Sequence, residues 1–211
     1  MSRLRYSRAE AVQQLRRQCA LLAGFIDQQG PLMLQVTKAP DLFTALAEAI
    51  VYQQLSGKAA ATIYGRFTGL FPGALPDATV ARTLGIPQLR SVGLSQNKAL
   101  AIQDLATKSM DGSLWPLARI NRMHDQAVIE NLVQVRGIGP WTAQMLLIFT
   151  LGRPDVMPAA DLGVQKGVQA VYRMRKLPSP DQVLRRTRHL TPFRSAASWY
   201  FWRAADTQLM S

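Results

Sequence analysis

Hydrophobic residues recur at intervals of three or four along most of this chain, which places them on one face of an α-helix. The pattern begins in residues 7–26, where Ser7 is a candidate N-cap, and Asp41 and Ser95 are candidate caps of later helices. About ten such segments follow one another through short turns, and strand-like alternation is scarce. The pattern predicts an all-α protein.

One hydrophobic stretch, LVQVRGIGPWTAQMLLIF at residues 132–149, is interrupted by Gly-Ile-Gly-Pro and resumes at Trp141. Gly137 and Gly139 permit a positive φ and place no Cβ between the backbone and a ligand. Pro140 suits the first turn of a helix, where its missing N–H is no loss. We therefore predict a helix-hairpin-helix whose turn offers backbone N–H groups to an anion; a purely structural corner is the alternative.

The charge of the chain favours a polyanionic partner. Lys and Arg number 25 against 13 Asp and Glu, which gives a net charge of +12. Such an excess is typical of proteins that bind DNA, RNA or an anionic membrane, and a basic surface that only maintains solubility is the alternative. A DNA phosphate at the hairpin would position a duplex without reading its sequence.

Cysteine and histidine are too few for most metal chemistry. Cys19 is the only cysteine, so neither an internal disulfide nor a four-cysteine iron–sulfur cluster can form. We expect Cys19 to be buried within a helix. His124 and His189 are expected at the surface or at helix ends, and a zinc site is not expected.

No hydrophobic run approaches the length of a membrane span, and the N-terminus lacks the apolar core of a signal peptide. The expected location is the cytoplasm, close to the nucleoid, or the nucleus if the source is eukaryotic. A membrane-surface role is disfavoured because the basic residues form no stripe on one amphipathic helix.

Several segments together resemble a known family. The hairpin VRGIGPWTAQMLLIF followed by MPAADLGVQKGV resembles the helix-hairpin-helix (HhH-GPD) DNA glycosylase superfamily. AIVYQQLSGKAAATIYGRF, GLSQNKALAIQDLA and TPFRSAASWYFW resemble its alkylbase, or 3-methyladenine DNA glycosylase II, branch. The resemblance covers residues 40 to 205, and we expect the compact form without the N-terminal β domain of larger bacterial members.

The resemblance implies two helical lobes with a cleft between them. One lobe is expected at residues 38–150, with an intercalating loop and the hairpin. The other is expected at residues 1–37 plus 151–211, and carries the catalytic Asp.

The resemblance places Asp161 at the catalytic position. A carboxylate there can stabilise the positive charge that develops on the sugar and can accept a proton from the attacking water. The alternative is that Asp161 only caps the helix that follows it, and both roles can hold together. Ala160 stands where the family often has a second acidic residue, so Asp161 is the one local candidate.

Trp141 stands where bifunctional members carry a lysine that attacks the sugar. Because an indole cannot form that bond, the sequence predicts a monofunctional enzyme that leaves an abasic site. The resemblance also implies a base pocket lined by Trp141, Trp202 and Met145, the last in place of a frequent Tyr. Aromatic faces attract a cationic alkylated purine; the alternative is that both tryptophans are core residues.

The resemblance further implies contacts with DNA. In YQQLSGKAA, Gln54 is the preferred residue to fill the gap left by a flipped base, with Leu55 as the other candidate; a core Leu beside a surface Gln is the alternative. The full set of expected DNA-binding residues is Gln54, Leu55, Ser56, Lys58, Gly137, Gly139, Thr142 and Lys166. A structural Na⁺ or K⁺ is implied at the carbonyls of Val133, Val135 and Ile138, and no other cofactor is expected.

The sequence therefore predicts a DNA glycosylase of base excision repair that removes flipped-out alkylated purines such as 3-methyladenine and 7-methylguanine. Its partner is damaged double-stranded DNA, and we expect a monomer without an obligatory protein partner. Two alternatives stay open: a glycosylase for another lesion, such as ethenoadenine or a deaminated base, and a non-catalytic DNA-binding module, which would need neither Asp161 nor an aromatic pocket.

Overall fold

A computed structural model describes residues 4–208, which form thirteen α-helices, two 3-10 helices and no β-strand. The α-helices are α1 (Arg8–Gln18), α2 (Ala20–Gln29), α3 (Leu42–Tyr52), α4 (Gly57–Thr68), α5 (Ala78–Thr83), α6 (Ile86–Ser91), α7 (Gln96–Met110), α8 (Leu117–Ile120), α9 (Asp125–Leu132), α10 (Pro140–Phe149), α11 (Leu162–Val171), α12 (Pro180–Thr187) and α13 (Arg194–Gln208). The 3-10 helices are Pro72–Ala74 and Arg188–Leu190. The all-α prediction is confirmed, and none of these helices is long and apolar enough to cross a bilayer.

The predicted N-caps are confirmed. The Ser7 hydroxyl accepts a hydrogen bond from the backbone N–H of Glu10 at 3.4 Å, and the Asp41 carboxylate accepts one from Thr44 at 2.7 Å. Ser95 caps α7 in the same way. Each cap satisfies a first-turn N–H that has no carbonyl within its own helix.

The first hydrophobic segment differs from the prediction, because it forms two helices broken at Cys19. The backbone of Cys19 is extended, with φ −147° and ψ 104°. Its N–H still bonds to the Leu15 carbonyl at 3.1 Å, and its own carbonyl accepts from Ala23 at 2.8 Å. Cys19 is therefore buried, as expected, but it ends one helix and begins the next, and its sulfur lies 3.6 Å from the Tyr172 hydroxyl.

The two histidines lie where the sequence predicted. His124 is the N-cap of α9 and its Nδ1 accepts from the N–H of Ala127 at 3.2 Å. His189 is exposed in the second 3-10 helix.

The chain divides into two compact units. One unit comprises Ala39–Ala143, and the other comprises Met1–Lys38 and Gln144–Ser211. The second boundary thus falls inside α10, whereas the predicted limit at residue 150 follows the end of that helix.

In the unit Ala39–Ala143, α3 packs against α4 and α7 around the fully buried Ile50, Phe67 and Ile102. A buried amide, Asn131, accepts from the N–H of Trp115 at 3.0 Å and donates to the Ser113 carbonyl at 2.8 Å. This amide ties the irregular segment before α8 to α9.

In the other unit, α11 and α13 form the main helix pair. Gly167 makes their close approach feasible, since a Cβ at this position would lie 1.9 Å from the carbonyl oxygen of Phe201. The pair brings the first turn of α11 to the middle of α13, where the candidate site lies.

Candidate active site

Asp161 is the N-cap of α11 and is half-buried. Its Oδ1 accepts two hydrogen bonds, one from the backbone N–H of Val164 at 2.9 Å and one from the indole Nε1 of Trp202 at 2.8 Å. The first bond confirms the predicted cap. The second comes from α13 and fixes the orientation of the carboxylate from outside its own helix.

Gly163 makes that indole contact feasible. A Cβ on Gly163 would lie 2.8 Å from Cδ1 of Trp202 and 3.1 Å from Oδ1 of Asp161. Contacts this short are repulsive, so any larger residue would push the indole away from the carboxylate. Gly163 was not among the predicted site residues, although it stands two residues after the predicted catalytic Asp.

Trp202 also stacks on Phe149, with ring centroids 5.6 Å apart and an interplanar angle of 27°. Phe149 was not among the predicted site residues. Met145 lies one helical turn before Phe149 on α10, so the two share a face of that helix. The structure therefore brings Asp161, Trp202 and Phe149 together, with Met145 on the same helix face as Phe149.

Trp141 lies in the first turn of the same helix, one turn before Met145, and 46% of its surface is exposed. An exposed indole contradicts the alternative that Trp141 is a core residue. Its role in a base pocket stays a prediction.

The helix-hairpin-helix consists of α9, a turn at residues 133–139 and α10. Gly137 has a φ of +77°, the left-handed region that glycine adopts most easily. Gly139 does not have a positive φ, so of the two glycines only Gly137 uses this conformational freedom. No atom of the surrounding structure lies within 4 Å of the position that a Cβ on Gly139 would take, so the fold leaves room for a side chain there, and the open approach for a ligand stays a prediction.

Two side chains that were not among the predicted site residues hold this turn. The carboxylate of Asp104 accepts from the N–H of Arg136 at 2.7 Å and also pairs with Lys108. The side-chain amide of Gln53 donates to the Gly137 carbonyl at 2.9 Å. A polar residue near a helix end, such as Gln53, is common, so the sequence alone does not indicate that this side chain contacts the turn.

The carbonyls predicted to bind a monovalent cation belong to this turn. The Val135 carbonyl accepts a hydrogen bond from the N–H of Ile138 at 3.0 Å, which leaves it a second lone pair. The carbonyl of Val133 belongs to an exposed residue and that of Ile138 to a buried one. Oxygen ligands of this kind suit a hard cation, and the cation site stays a prediction.

Thr142 is only 7% exposed, so its side chain is poorly placed for a DNA contact. It lies in the first turn of α10, where backbone N–H groups have no carbonyl one turn earlier in the helix. Any phosphate contact at this residue is expected to use the N–H rather than the hydroxyl.

The predicted intercalating loop connects α3 to α4. Gln54 is exposed and has a φ of +56°, which is uncommon for a residue with a side chain. Leu55 is 39% exposed, which contradicts the alternative of a core Leu. Ser56 caps α4 through a bond from Ala59, and Lys58 is exposed in the first turn of that helix.

Lys98 holds the start of this loop. Its Nζ donates to the carbonyls of Val51 and Gln53, each at 2.8 Å. Burial lowers the pKa of the Lys98 ammonium. Because Gln53 is held at its carbonyl by Lys98 and at its amide by the Gly137 bond, the backbone immediately before Gln54 is fixed on two sides.

Lys166 lies on α11 in the other unit and is half-buried. It follows Asp161 by five residues, a little more than one helical turn. The structure gives it no ion pair within residues 4–208, and its contact with DNA stays a prediction.

Known proteins resemble this chain in sequence and in fold. The model of the HhH-GPD superfamily base excision DNA repair proteins matches residues 47–193. DNA-3-methyladenine glycosylase 1 of Schizosaccharomyces pombe is 35% identical over 164 residues, which span 77% of this chain and 72% of that protein.

Two solved structures are similar over nearly their whole length. The 3-methyladenine DNA glycosylase Mag1 of the same yeast, in complex with abasic DNA, superposes with a TM-score of 0.83 at 31% identity and covers 92% of this chain and 95% of its own. A DNA-3-methyladenine glycosidase from Bacillus halodurans has a TM-score of 0.85 at 32% identity and covers 95% of this chain and 91% of its own.

Proposed function

Because the chain belongs to the HhH-GPD superfamily of base excision DNA repair proteins, in its 3-methyladenine glycosylase branch, we propose that it hydrolyses the N-glycosidic bond of alkylated purines in double-stranded DNA. The products are the free base and an abasic site. The observation that carries the proposal is the Asp161 carboxylate, held at the start of α11 by Val164 and Trp202 beside a stacked aromatic pair.

The carboxylate acts on the sugar. The target nucleotide must first leave the base stack, because its glycosidic bond is inaccessible within the duplex. As that bond lengthens, positive charge develops on the sugar, and a preorganised carboxylate stabilises it. Water then attacks the anomeric carbon and gives up a proton to Asp161, which yields the abasic site.

The base needs little help to depart. Alkylation at N3 or N7 leaves a purine with a positive charge, so the bond breaks without a strong general acid. Aromatic faces attract such a cation by about 0.5 to 2 kcal/mol. Trp141, Trp202 and Met145 are the proposed pocket residues, and Phe149 supports Trp202 by stacking on its ring.

The enzyme is monofunctional. An amine in the position of Trp141 would be required for attack on the sugar and subsequent strand cleavage. The indole of Trp141 offers no primary amine for this step, so the strand stays intact after the base has left.

Contacts with the DNA backbone position the lesion. The turn at Gly137 and Gly139, with the N–H of Thr142, is proposed to bind phosphate oxygens, because N-terminal N–H groups attract anions. Ser56, Lys58 and Lys166 are proposed to contact further phosphates. A monovalent cation at the carbonyls of Val133, Val135 and Ile138 would add a positive charge to the hairpin.

The proposal is tested with wild-type protein and Asp161→Asn on DNA treated with a methylating agent. We expect 3-methyladenine and 7-methylguanine to be released by the wild type only, with strands that break only after alkali. Asp161→Asn should still bind abasic DNA, because the amide remains a hydrogen-bond acceptor of similar shape. Release of a different damaged base would contradict alkylated purines as the substrate. DNA binding by both proteins without release of any damaged base would favour a non-catalytic binding module.

The same assay tests the proposal that Gln54 fills the gap left by the flipped base. Its exposed side chain and its left-handed backbone, fixed by Gln53 and Lys98, support this role. We expect Gln54→Ala to slow release from duplex DNA by about tenfold, which corresponds to 1.4 kcal/mol of transition-state stabilisation. Leu55→Ala is the matched comparison, and a larger loss from that variant would assign the role to Leu55.

A further inference from the structure

Three helix ends of the unit Met1–Lys38 and Gln144–Ser211 meet at one phenol, that of Tyr172. Its hydroxyl donates to the carbonyl of Arg186 at 3.3 Å, and the Cys19 sulfur lies 3.6 Å away. The guanidinium of Arg186 lies over the ring, 5.7 Å from its centroid. Cys19 ends α1, Tyr172 ends α11 and Arg186 lies in the last turn of α12, so the contacts fix these three ends together.

Basic residues gather around this point. Arg173 follows Tyr172 directly, and the connection to α12 and the end of that helix carry five more, all exposed. We call this set the helix-end surface: Arg173, Arg175, Lys176, Arg185, Arg186 and Arg188. Because one residue spans at most about 3.5 Å of chain, each lies a short distance from the Tyr172 contact.

The helix-end surface carries a concentrated positive charge. Between residues 173 and 189 the only acidic residue is Asp181, at the opposite end of α12. Within residues 4–208, none of the six cations forms an ion pair. Other arginines of this unit do form such pairs, as Arg16 does with Asp27 and Arg203 with Asp206.

A stabilising effect on helix C-termini explains only some of these six basic residues. A cation near a helix C-terminus is favourable by about 0.3 to 1 kcal/mol, and Arg185 and Arg186 are so placed. Arg175 and Lys176 lie beyond the end of α11, where that effect has faded, and they add repulsion. A run of like charges without acidic neighbours is the arrangement that binds a polyanion.

The helix-end surface lies away from the candidate active site. Asp161 and Tyr172 cap opposite ends of α11, and eleven residues at 1.5 Å each separate them by about 16 Å. The N-terminal end of the helix faces the reacting nucleotide in the proposed function, so its other end faces away from that nucleotide.

We propose that the helix-end surface is a second binding site for the backbone of duplex DNA, one that holds a DNA segment other than the one carrying the lesion. This proposal rests on the proposed function for its partner, DNA. A protein that holds two segments can pass from one to the other without full dissociation, which shortens the search for rare lesions. The binding is electrostatic and independent of sequence.

A bridging experiment tests this site. The full chain is loaded on an immobilised duplex that contains a stable abasic-site analogue, and a short fluorescent undamaged duplex is then added. We expect wild-type protein to retain the second duplex at low salt. Arg175→Gln combined with Lys176→Gln and Arg188→Gln should retain it at least about fivefold less, since three phosphate contacts are lost, while binding to the immobilised duplex is unchanged.

The control makes the same change of net charge in the unit Ala39–Ala143. Arg66→Gln combined with Arg82→Gln and Arg90→Gln replaces three exposed cations there and should bridge as the wild type does. All substituted side chains are exposed, so thermal melting followed by circular dichroism should be unchanged in both variants.

The second site is refuted if wild-type protein retains no second duplex, or if the helix-end variant bridges as well as the wild type. It is also refuted if that variant loses the immobilised duplex in the same proportion, because the surface would then contact the lesion-bearing DNA. Base release from alkylated DNA, measured on the same preparations, separates the two proposals: bridging without release supports the second site and contradicts the glycosylase function.

Discussion

At the scale of single residues, the candidate site depends on one indole. Asp161 would cap its own helix in any case, but the bond from Trp202 comes from a residue 41 positions away in the chain. That bond exists because Gly163 leaves room for the ring and Phe149 supports it. Trp202 therefore acts as a positioning residue for the carboxylate, in addition to its proposed role in the base pocket.

We predict that Trp202→Phe slows base release by about 10- to 150-fold, because a hydrogen bond to a charged group is worth about 1.5 to 3 kcal/mol. Phenylalanine keeps the aromatic stacking on Phe149 and removes only the N–H donor. The measurement is the single-turnover rate of release, together with affinity for abasic DNA, which should change little.

Trp199→Phe is the matched control on the same helix. The Trp199 ring packs edge-on against Tyr200, with centroids 5.0 Å apart, and beneath the Arg203 guanidinium. The substitution Trp199→Phe also removes an indole N–H, but it should leave the rate of base release at the wild-type value. If Trp202→Phe also releases base at that value, the indole bond does not position the carboxylate.

The sequence was informative about these residues only where the signal is local or familiar. Asp161 could be predicted because a capping carboxylate precedes an amphipathic helix and because the surrounding motif resembles a family. Gly163 and Phe149 could not, since their roles depend on Trp202 and on the packing of α13. The same holds for Gln53, Lys98 and Asp104, which act through backbone groups distant in the chain.

At the scale of secondary-structure elements, the contact of α11 with α13 positions the site. Helices in contact are usually 8 to 10 Å apart, and small residues permit the closest approach. Gly167 meets the backbone of Phe201 rather than a side chain. No rotamer change can therefore relieve the clash that a larger residue would make at this position, and the helices themselves would have to separate.

We predict that Gly167→Ala lowers the free energy of unfolding by about 3 kcal/mol or more, at or above the upper end of the usual range for overpacking. The intrinsic preference of a helix for Ala over Gly, about 1 kcal/mol, is too small to compensate. The change is measured from the midpoint of urea unfolding.

Gly24→Ala, in α2 of the same unit, is the control. No atom lies within 4 Å of the position that its Cβ would take, so the helical preference alone should act and stability should rise by about 0.5 to 1 kcal/mol. Equal effects of the two substitutions would show that α11 and α13 do not need the glycine.

The helix boundary that turn-forming residues mark, at the hairpin, was predicted from the sequence. The helix boundary at Cys19 was not. The hairpin was found from Gly-Ile-Gly-Pro, whose residues signal a turn by themselves. The break at Cys19 has neither Gly nor Pro to mark it. Its contact Tyr172 is 153 residues further along the chain. The hydrophobic periodicity continues across Cys19, so it predicted one continuous helix there.

At the scale of the whole molecule, the net charge of +12 indicates a polyanionic partner but not where that partner binds. Two of the proposed DNA contacts are cations: Lys58 in the first turn of α4 and Lys166 in the middle of α11. The helix-end surface lies at the C-terminal end of α11. Composition could predict the total charge, and only the fold could divide it among surfaces.

We predict that Lys58→Gln and Lys166→Gln each reduce the salt dependence of binding to a short abasic duplex. Each phosphate contact releases counterions, so removing one lowers the slope of log K against log salt by about 0.9. Binding is measured by fluorescence anisotropy over a range of salt concentrations, on a duplex too short to reach a second surface. Arg82→Gln makes an equal change of charge at an exposed residue of α5 and should leave the slope unaltered. If Arg82→Gln lowers the slope as much as either lysine variant, the effect belongs to net charge, and these lysines do not contact phosphates individually.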